Sequence, residues 1–350
     1  MTTTHQAAVR GLAAVAMATA AVAGSATSAT AATPLVITST VNLPGSAPGG
    51  PFSTPIAAQA PDGTVYAATL AGGGESVFSV SATGVLHLAD KVTGVGGITA
   101  LAADADNLYV GTRQAISSYQ RSNGRLLRRW ALSPTPRGLS QLVVAGNRVW
   151  GLLTPVGVHP APSSLVELDP TQQARVATVN GVADTQSIAA AGSGIEYVAA
   201  TSTSLVRRPN AGGVTSTHTG LAVNLALSGP AAIQAQVVSG GRLVVKFSAG
   251  QGLDAVTYTY NATTLAGPLG PAAFNAEATL GVTTLGLLET AAPGDLPCTG
   301  GLHPCIARYG SGGVSGPVLS LPYDEGSAPL GPRAALVVTK GATQKVVRIG

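Results

Sequence analysis

The chain has 350 residues, 10% of them charged and 45% hydrophobic, with a formal net charge of +4. Low charge with ample apolar content excludes a disordered chain. The 45 Gly and 23 Pro cut the apolar runs too short for long helices, and the length allows one large all-β domain or two small ones.

Residues 1–10 carry one cation, residues 11–24 are apolar, and Ala29-Thr30-Ala31 offers an A-x-A cleavage site. This pattern predicts a signal peptide over 1–31 and a mature exported chain over 32–350. The apolar run is shorter than the roughly 20 residues a spanning helix needs, so no transmembrane segment is expected after cleavage. No Cys stands near the cleavage site and no Arg-Arg pair precedes it, which argues against a lipid anchor and against twin-arginine export. The predicted location is secreted or extracytoplasmic.

After the cleavage site, 35–43 (LVITSTVNL) reads as one β-branched strand without a hairpin partner, followed by a Gly/Pro-rich connector over 44–55. Repeats then begin near Ile56, Ile98, Leu139, Ile188, Ile233, Ala278 and Tyr323, at intervals of 41 to 49 residues. A period of roughly 40–50 residues with about four strands per period is the signature of a β-propeller. The second repeat, 98–132, is the clearest. Apolar strands there alternate with an Asp104–Asn107 turn and an Asn123-Gly124 turn, a pair expected to take positive φ at both positions. Strands 64–69, 108–112, 148–153, 195–201 and 242–247 correspond, each following a turn with Gly, Asn or Asp.

The sixth repeat is irregular, and the seventh offers only two clear strands, 334–340 and 344–349, before the chain ends. An incomplete last repeat and an unpaired first strand fit each other, because the early strand can cover the open ladder. The predicted fold is all-β, a seven-bladed propeller whose last blade the N-terminal strand completes, with six or eight blades as the alternatives.

The phrase LAADADNLYVGTRQAISSYQRSNGRLLRRWAL, at 101–132, resembles the repeats of PQQ-like (quinoprotein-type) and YncE/NHL-like β-propellers of bacteria. The resemblance implies the fold, while activity varies widely among such proteins: they include quinone-dependent dehydrogenases, antibiotic-ring lyases and assembly scaffolds. Only Trp130 and Trp150 are present, where quinoprotein blades would carry Trp repeatedly, and no cluster of acidic and amide ligands stands ready for a metal beside a quinone. No cofactor and no metal site is therefore expected. The acidic box of sialidase-like propellers is also missing.

Cys298 and Cys305 frame a Gly-containing loop and read as one structural disulfide. His87, His159, His218 and His303 fall in different repeats. A lyase or hydrolase reading would pair two of them with Glu167 or Glu289 at the channel mouth, but no spacing links them, so no catalytic residue is assigned. Asp104-Ala105-Asp106-Asn107 lacks the Gly and distal Glu of a calcium loop and reads as a turn. Asn261-Ala262-Thr263 fits a glycosylation acceptor and, equally, a hairpin turn. Tyr258 and Tyr260 share a strand face, suited to a sugar ring or to packing. Arg128-Arg129 and Arg207-Arg208 read as solvated strand pairs, and with a mature charge of only +3 once Arg10 is lost, nucleic acid is not expected as a partner. The expected function is a monomeric binding module for a protein or an envelope polysaccharide.

Overall fold

The computed structural model describes residues 33–48, 55–71, 73–93, 97–132, 137–156, 162–182, 185, 187–199, 204–214, 216–218, 232–238, 241–248, 255–267, 273–275, 279–283, 286–291, 305–310, 313–314, 318–321, 326–331, 334–340 and 343–350. All regular elements among them are strands. No helix there is long and apolar enough to cross a membrane. The expected signal peptide lies outside the described residues.

Ile37–Leu43 forms β1. The first sheet then follows in chain order: Ala57–Gln59 (β2), Val65–Ala71 (β3), Gly74–Val80 (β4) and Leu86–Thr93 (β5). The second is Ile98–Ala103 (β6), Asn107–Thr112 (β7), Ala115–Gln120 (β8) and Leu126–Ala131 (β9). The third is Arg137–Ala145 (β10), Arg148–Pro155 (β11), Ser163–Leu168 (β12) and Arg175–Val182 (β13). Ile188–Ala190 (β14), Gly194–Ala199 (β15), Ser204–Pro209 (β16) and Ser216–His218 (β17) make the fourth. Ala232–Val238 (β18), Arg242–Ser248 (β19), Ala255–Asn261 (β20) and Ala273–Asn275 (β21) make the fifth. The sixth has Thr279–Thr283 (β22), Gly286–Ala291 (β23), Cys305–Gly310 (β24) and Gly313–Val314 (β25), with Leu319–Ser320 (β26) also paired to β24. Gly326–Leu330 (β27), Ala335–Lys340 (β28) and Thr343–Ile349 (β29) complete the chain.

Each of the first six sheets is an antiparallel meander in chain order. The seventh has the order β1-β29-β28-β27, so the N-terminal strand is its outermost member. Thr40 pairs with Val347 and Val41 with Val346 along that edge. Gly350 and Val36 exchange both backbone hydrogen bonds beyond it. The first strand of every sheet lies against the first strand of the next, and β27 lies against β2. The described sheets thus close into a ring.

The core lies between sheets rather than within one, because each sheet buries both faces against its neighbours. One apolar cluster joins Tyr66, Ala68 and Val77 of the first sheet to Leu101, Leu108 and Val110 of the second. Another joins Val337 and Val346 of the seventh sheet to Val65, Ala67 and Val80 of the first. Two glycines serve this packing. A Cβ at Gly111 would lie 2.2 Å from Leu139 Cδ2, and one at Gly151 would lie 2.9 Å from Leu139 Cδ1. Leu139, on the innermost strand of the third sheet and 2% exposed, fills the space both side chains would take.

Two local expectations are revised. The seventh repeat supplies three strands of its own, not two. The extra one, β27, contains Pro329, which is tolerated because β27 is an edge of its sheet and needs to donate on one side only. At Asn123-Gly124 only Gly124 takes positive φ, at 66°. Gly124 N donates to Gln120 O at 2.8 Å and Arg125 N to Asn123 Oδ1 at 2.9 Å. The loop is therefore a longer hairpin ending in a left-handed glycine, with the ladder shifting between Ser118 and Tyr119.

Candidate functional site

Among the described residues, the sequence candidates for chemistry stand in four different sheets. His87 is exposed on β5 and His218 stands on β17, the outermost strands of the first and fourth sheets. His159 and His303 lie outside the described residues. Glu167 is on β12 and Glu289 on β23, in the third and sixth sheets. Cys305 is buried at the start of β24, and Cys298 lies outside the described residues, as does the loop before it. No group of three or more His, Cys, Asp or Glu suited to a metal ion occurs among the described residues.

The polar residues that do converge are those beside the first-to-second and third-to-fourth strand turns, which share one end of the ring. There a side chain from one sheet repeatedly grips a turn of its neighbour. Arg121, in the β8–β9 turn, donates from Nη2 to Asp62 Oδ2 at 2.6 Å and from Nε to Tyr66 Oη at 2.8 Å, both in the first sheet. Its guanidinium also lies 5.5 Å from the Tyr66 ring centroid and donates to Asp104 O at 3.0 Å. Between the second and third sheets, Trp130 Nε1 donates to Gln172 O at 3.1 Å and Arg128 Nη2 to Thr171 O at 3.0 Å.

Trp150 Nε1 donates to Asn210 Oδ1 at 2.9 Å, Asn210 Nδ2 to Ala145 O at 2.7 Å, and Ala211 N to Glu167 Oε1 at 2.7 Å, joining the third and fourth sheets. Arg207 Nη1 donates from the fourth sheet to the Ala262 carbonyl in the fifth. Arg348 Nη2 donates to Ser81 O at 2.7 Å and Gly63 O at 3.1 Å, joining the seventh sheet to the first.

Turn chemistry holds the recipients in place. Asp104 Oδ1 accepts from Asp106 N at 2.8 Å and Asn107 N at 2.6 Å, and Tyr109 Oη donates to Asp104 Oδ2 at 2.6 Å. The Asp104–Asn107 segment is thus the turn its residues predict. Asn261 Oδ1 accepts from Thr263 N and Thr264 N, both at 2.8 Å, which is the hairpin use of that triplet. Asp169 Oδ1 accepts from Thr171 N at 2.8 Å and Thr171 Oγ1 at 2.6 Å, while Asp169 Oδ2 forms an ion pair with Arg148.

These contacts set the electrostatics. Hydrogen bonds from Thr171, then Arg148, hold the Asp169 carboxyl down to about 2. Burial pushes Asp62 up, but the Thr64 N–H and Arg121 outweigh it and leave the group below its ordinary value. Burial, with the Asp104 carboxylate beside it, raises Tyr109 well above a free phenol. Burial likewise raises Glu196 to about 7, against an opposing pull from Arg207. Asp62 is therefore occupied in joining two sheets, and Asp104 and Asp169 in fixing the turns of their own sheets. What the arrangement offers a ligand is a rigid rim of fixed turns.

The sequence reading placed Arg207 on a solvated strand, yet it is a junction residue. Its register partner Glu196 was missed because the two carry no motif and meet only across the ladder. Trp150 and Tyr260 are fully buried, so packing accounts for both. Beside the rim, Val85, Leu126 and Val214 are exposed by 49%, 51% and 51%. Each stands just past the third-to-fourth strand turn of its sheet.

No protein-family model and no curated protein matches the sequence. Solved structures do. The β-propeller domain of Cps50 (Swd1) from Myceliophteria thermophila is 13% identical with a TM-score of 0.60, covering 91% of this chain and 100% of that one. The WD40 β-propeller domain of Doa1 is 11% identical with a TM-score of 0.58, over 90% of this chain and 96% of that one. A chain of the mitotic checkpoint complex is 12% identical with a TM-score of 0.57, over 99% of this chain and 98% of that one. At such identities the likeness is one of fold, and with the ring of antiparallel sheets it makes this chain a β-propeller.

Proposed function

We propose that the protein is an exported β-propeller that serves as a binding module for a protein or cell-envelope ligand. One observation carries this reading. At the rim, equivalently placed apolar side chains (Val85, Leu126 and Val214) stand in solvent on backbone that the inter-sheet contacts fix. Fixed backbone loses little entropy on association, and apolar side chains beside polar turns are what a protein partner covers. Similar propellers occur within assemblies such as the mitotic checkpoint complex, which supports a protein as the ligand. The resemblance of the second repeat to PQQ-like and YncE/NHL-like propellers and the A-x-A site before Ala32 support export. The Cys298–Cys305 bridge belongs to the same proposal, since disulfides persist in oxidising compartments.

The test uses the protein recovered from the culture medium, with Ala32 at its N-terminus, as bait against cell-envelope proteins. Changing Val85, Leu126 and Val214 together to Glu is expected to lower capture of the specific partner at least about tenfold with no change in the unfolding midpoint. Undiminished capture by the triple variant would remove the rim from the account.

A further inference from the structure

The same structural position recurs in four successive sheets, just after the turn into the second strand. It is Tyr66 in β3, Tyr109 in β7, Trp150 in β11 and Glu196 in β15, as their registered neighbours Ser79, Ser118, Glu167 and Arg207 show. Three of the four are buried aromatics whose polar tips have near-ideal partners: Arg121, Asp104 and Asn210. Glu196 breaks the series. It is fully buried, its Oε1 lies 3.5 Å from Arg207 Nη1, and its Oε2 has no hydrogen-bond partner among the described residues. Arg207 Nη1 is turned to the Ala262 carbonyl of the fifth sheet. One guanidinium nitrogen is thus shared between a loosely held carboxyl and the turn of the next sheet.

We propose that Glu196 is a proton-operated switch for the junction between the fourth and fifth sheets. Protonated, it makes no claim on Arg207, which bonds the Ala262 carbonyl. Ionised, the buried carboxylate draws the guanidinium back and slackens that bond, because an unpaired charge in a dry site outweighs a carbonyl as its partner.

The charged and titratable groups on the surrounding elements agree with this assignment. β14 and β18 carry none. On β16, Arg208 acts on Tyr197, the neighbour of Glu196 on the other face of β15, which leaves Arg207 as the cation at the carboxyl. β19 carries Arg242 and Lys246, and β20 carries Tyr258 and Tyr260, of which Tyr260 is buried.

Burial raises the folded-state value to about 7, against roughly 4.3 in an unfolded chain. The sign follows from linkage: stabilisation is fully present below the unfolded value and is lost as pH rises through the folded one. The test compares wild type with Glu196→Gln, which keeps the shape and cannot ionise. Between pH 5 and 7.5 the wild-type folding constant is expected to fall at least about tenfold relative to that of the variant. Amides of β15, β16 and the 262–266 turn should lose protection over the same range in wild type alone. Parallel pH profiles would overturn the proposal. If Glu196→Gln fails to fold, carbon-13 labelling of Glu in wild type decides the matter. One buried carboxyl titrating near neutral supports the switch, and all Glu titrating near the ordinary value sinks it.

Discussion

Leu139 shows how single residues set this fold. Its two methyls occupy the places that Cβ atoms at Gly111 and Gly151 would take, so two of the three positions must stay without side chains. Gly111→Ala is expected to destabilise by about 1–3 kcal/mol, as overpacking does in a close-packed core. The check is a double-mutant cycle with Leu139→Ala measured by denaturant unfolding. The alanine at 111 should cost much less once Leu139 is truncated, and strict additivity would contradict the contact. The glycine of LYVGT was visible in the sequence as part of a strand phrase. Its cause was not, because the side chain that excludes a Cβ comes from the next repeat.

The elements were legible where turn chemistry is local. The second repeat has the strands its sequence assigns, since Asp104 and Asn107 close one turn with their own side chains and Gly124 ends another with positive φ. β27 was hidden because Gly326–Leu330 contains a proline and lacks alternation. The junctions were illegible for a different reason: each joins residues a whole repeat or more apart in the sequence. Arg121 is the test at this scale, since it binds Asp62, Tyr66 and a second-sheet carbonyl together. Arg121→Met should destabilise by about 1–3 kcal/mol, chiefly by leaving the hydroxyl of the buried Tyr66 and the half-buried Asp104 carbonyl unpaired. Hydrogen exchange should show the loss concentrated in β2, β3 and the β8–β9 hairpin. An even loss across all sheets would mean that the arginine does not act at this junction.

At the scale of the molecule, the ring is completed by two chain ends. β1 covers the outer edge of β29, and Leu43 joins a cluster shared by the seventh and first sheets. Arg348, one residue from the end of β29, grips the first sheet at the opposite end of that strand from Leu43. Both ends were foreseeable from sequence as halves of one sheet, because an orphan strand and a short last repeat each leave ladder groups unpaired. Which residues lock the ring was not foreseeable, since Arg348 and Gln344, which donates to Ala68 O, match no motif. A rigid ring also underlies the binding proposal, because the rim turns are only as fixed as the junctions behind them.

The most direct measurement is the unfolding of a chain starting at residue 44, alone and with a synthetic peptide of residues 33–43. The closed-ring account predicts that removing β1 lowers stability by several kcal/mol, given the burial of Leu35 and Leu43 at about 1.5–3 kcal/mol each. It also predicts that the peptide restores the cooperative transition in proportion to its concentration. A shortened chain that unfolds at the wild-type midpoint, indifferent to the peptide, would contradict it.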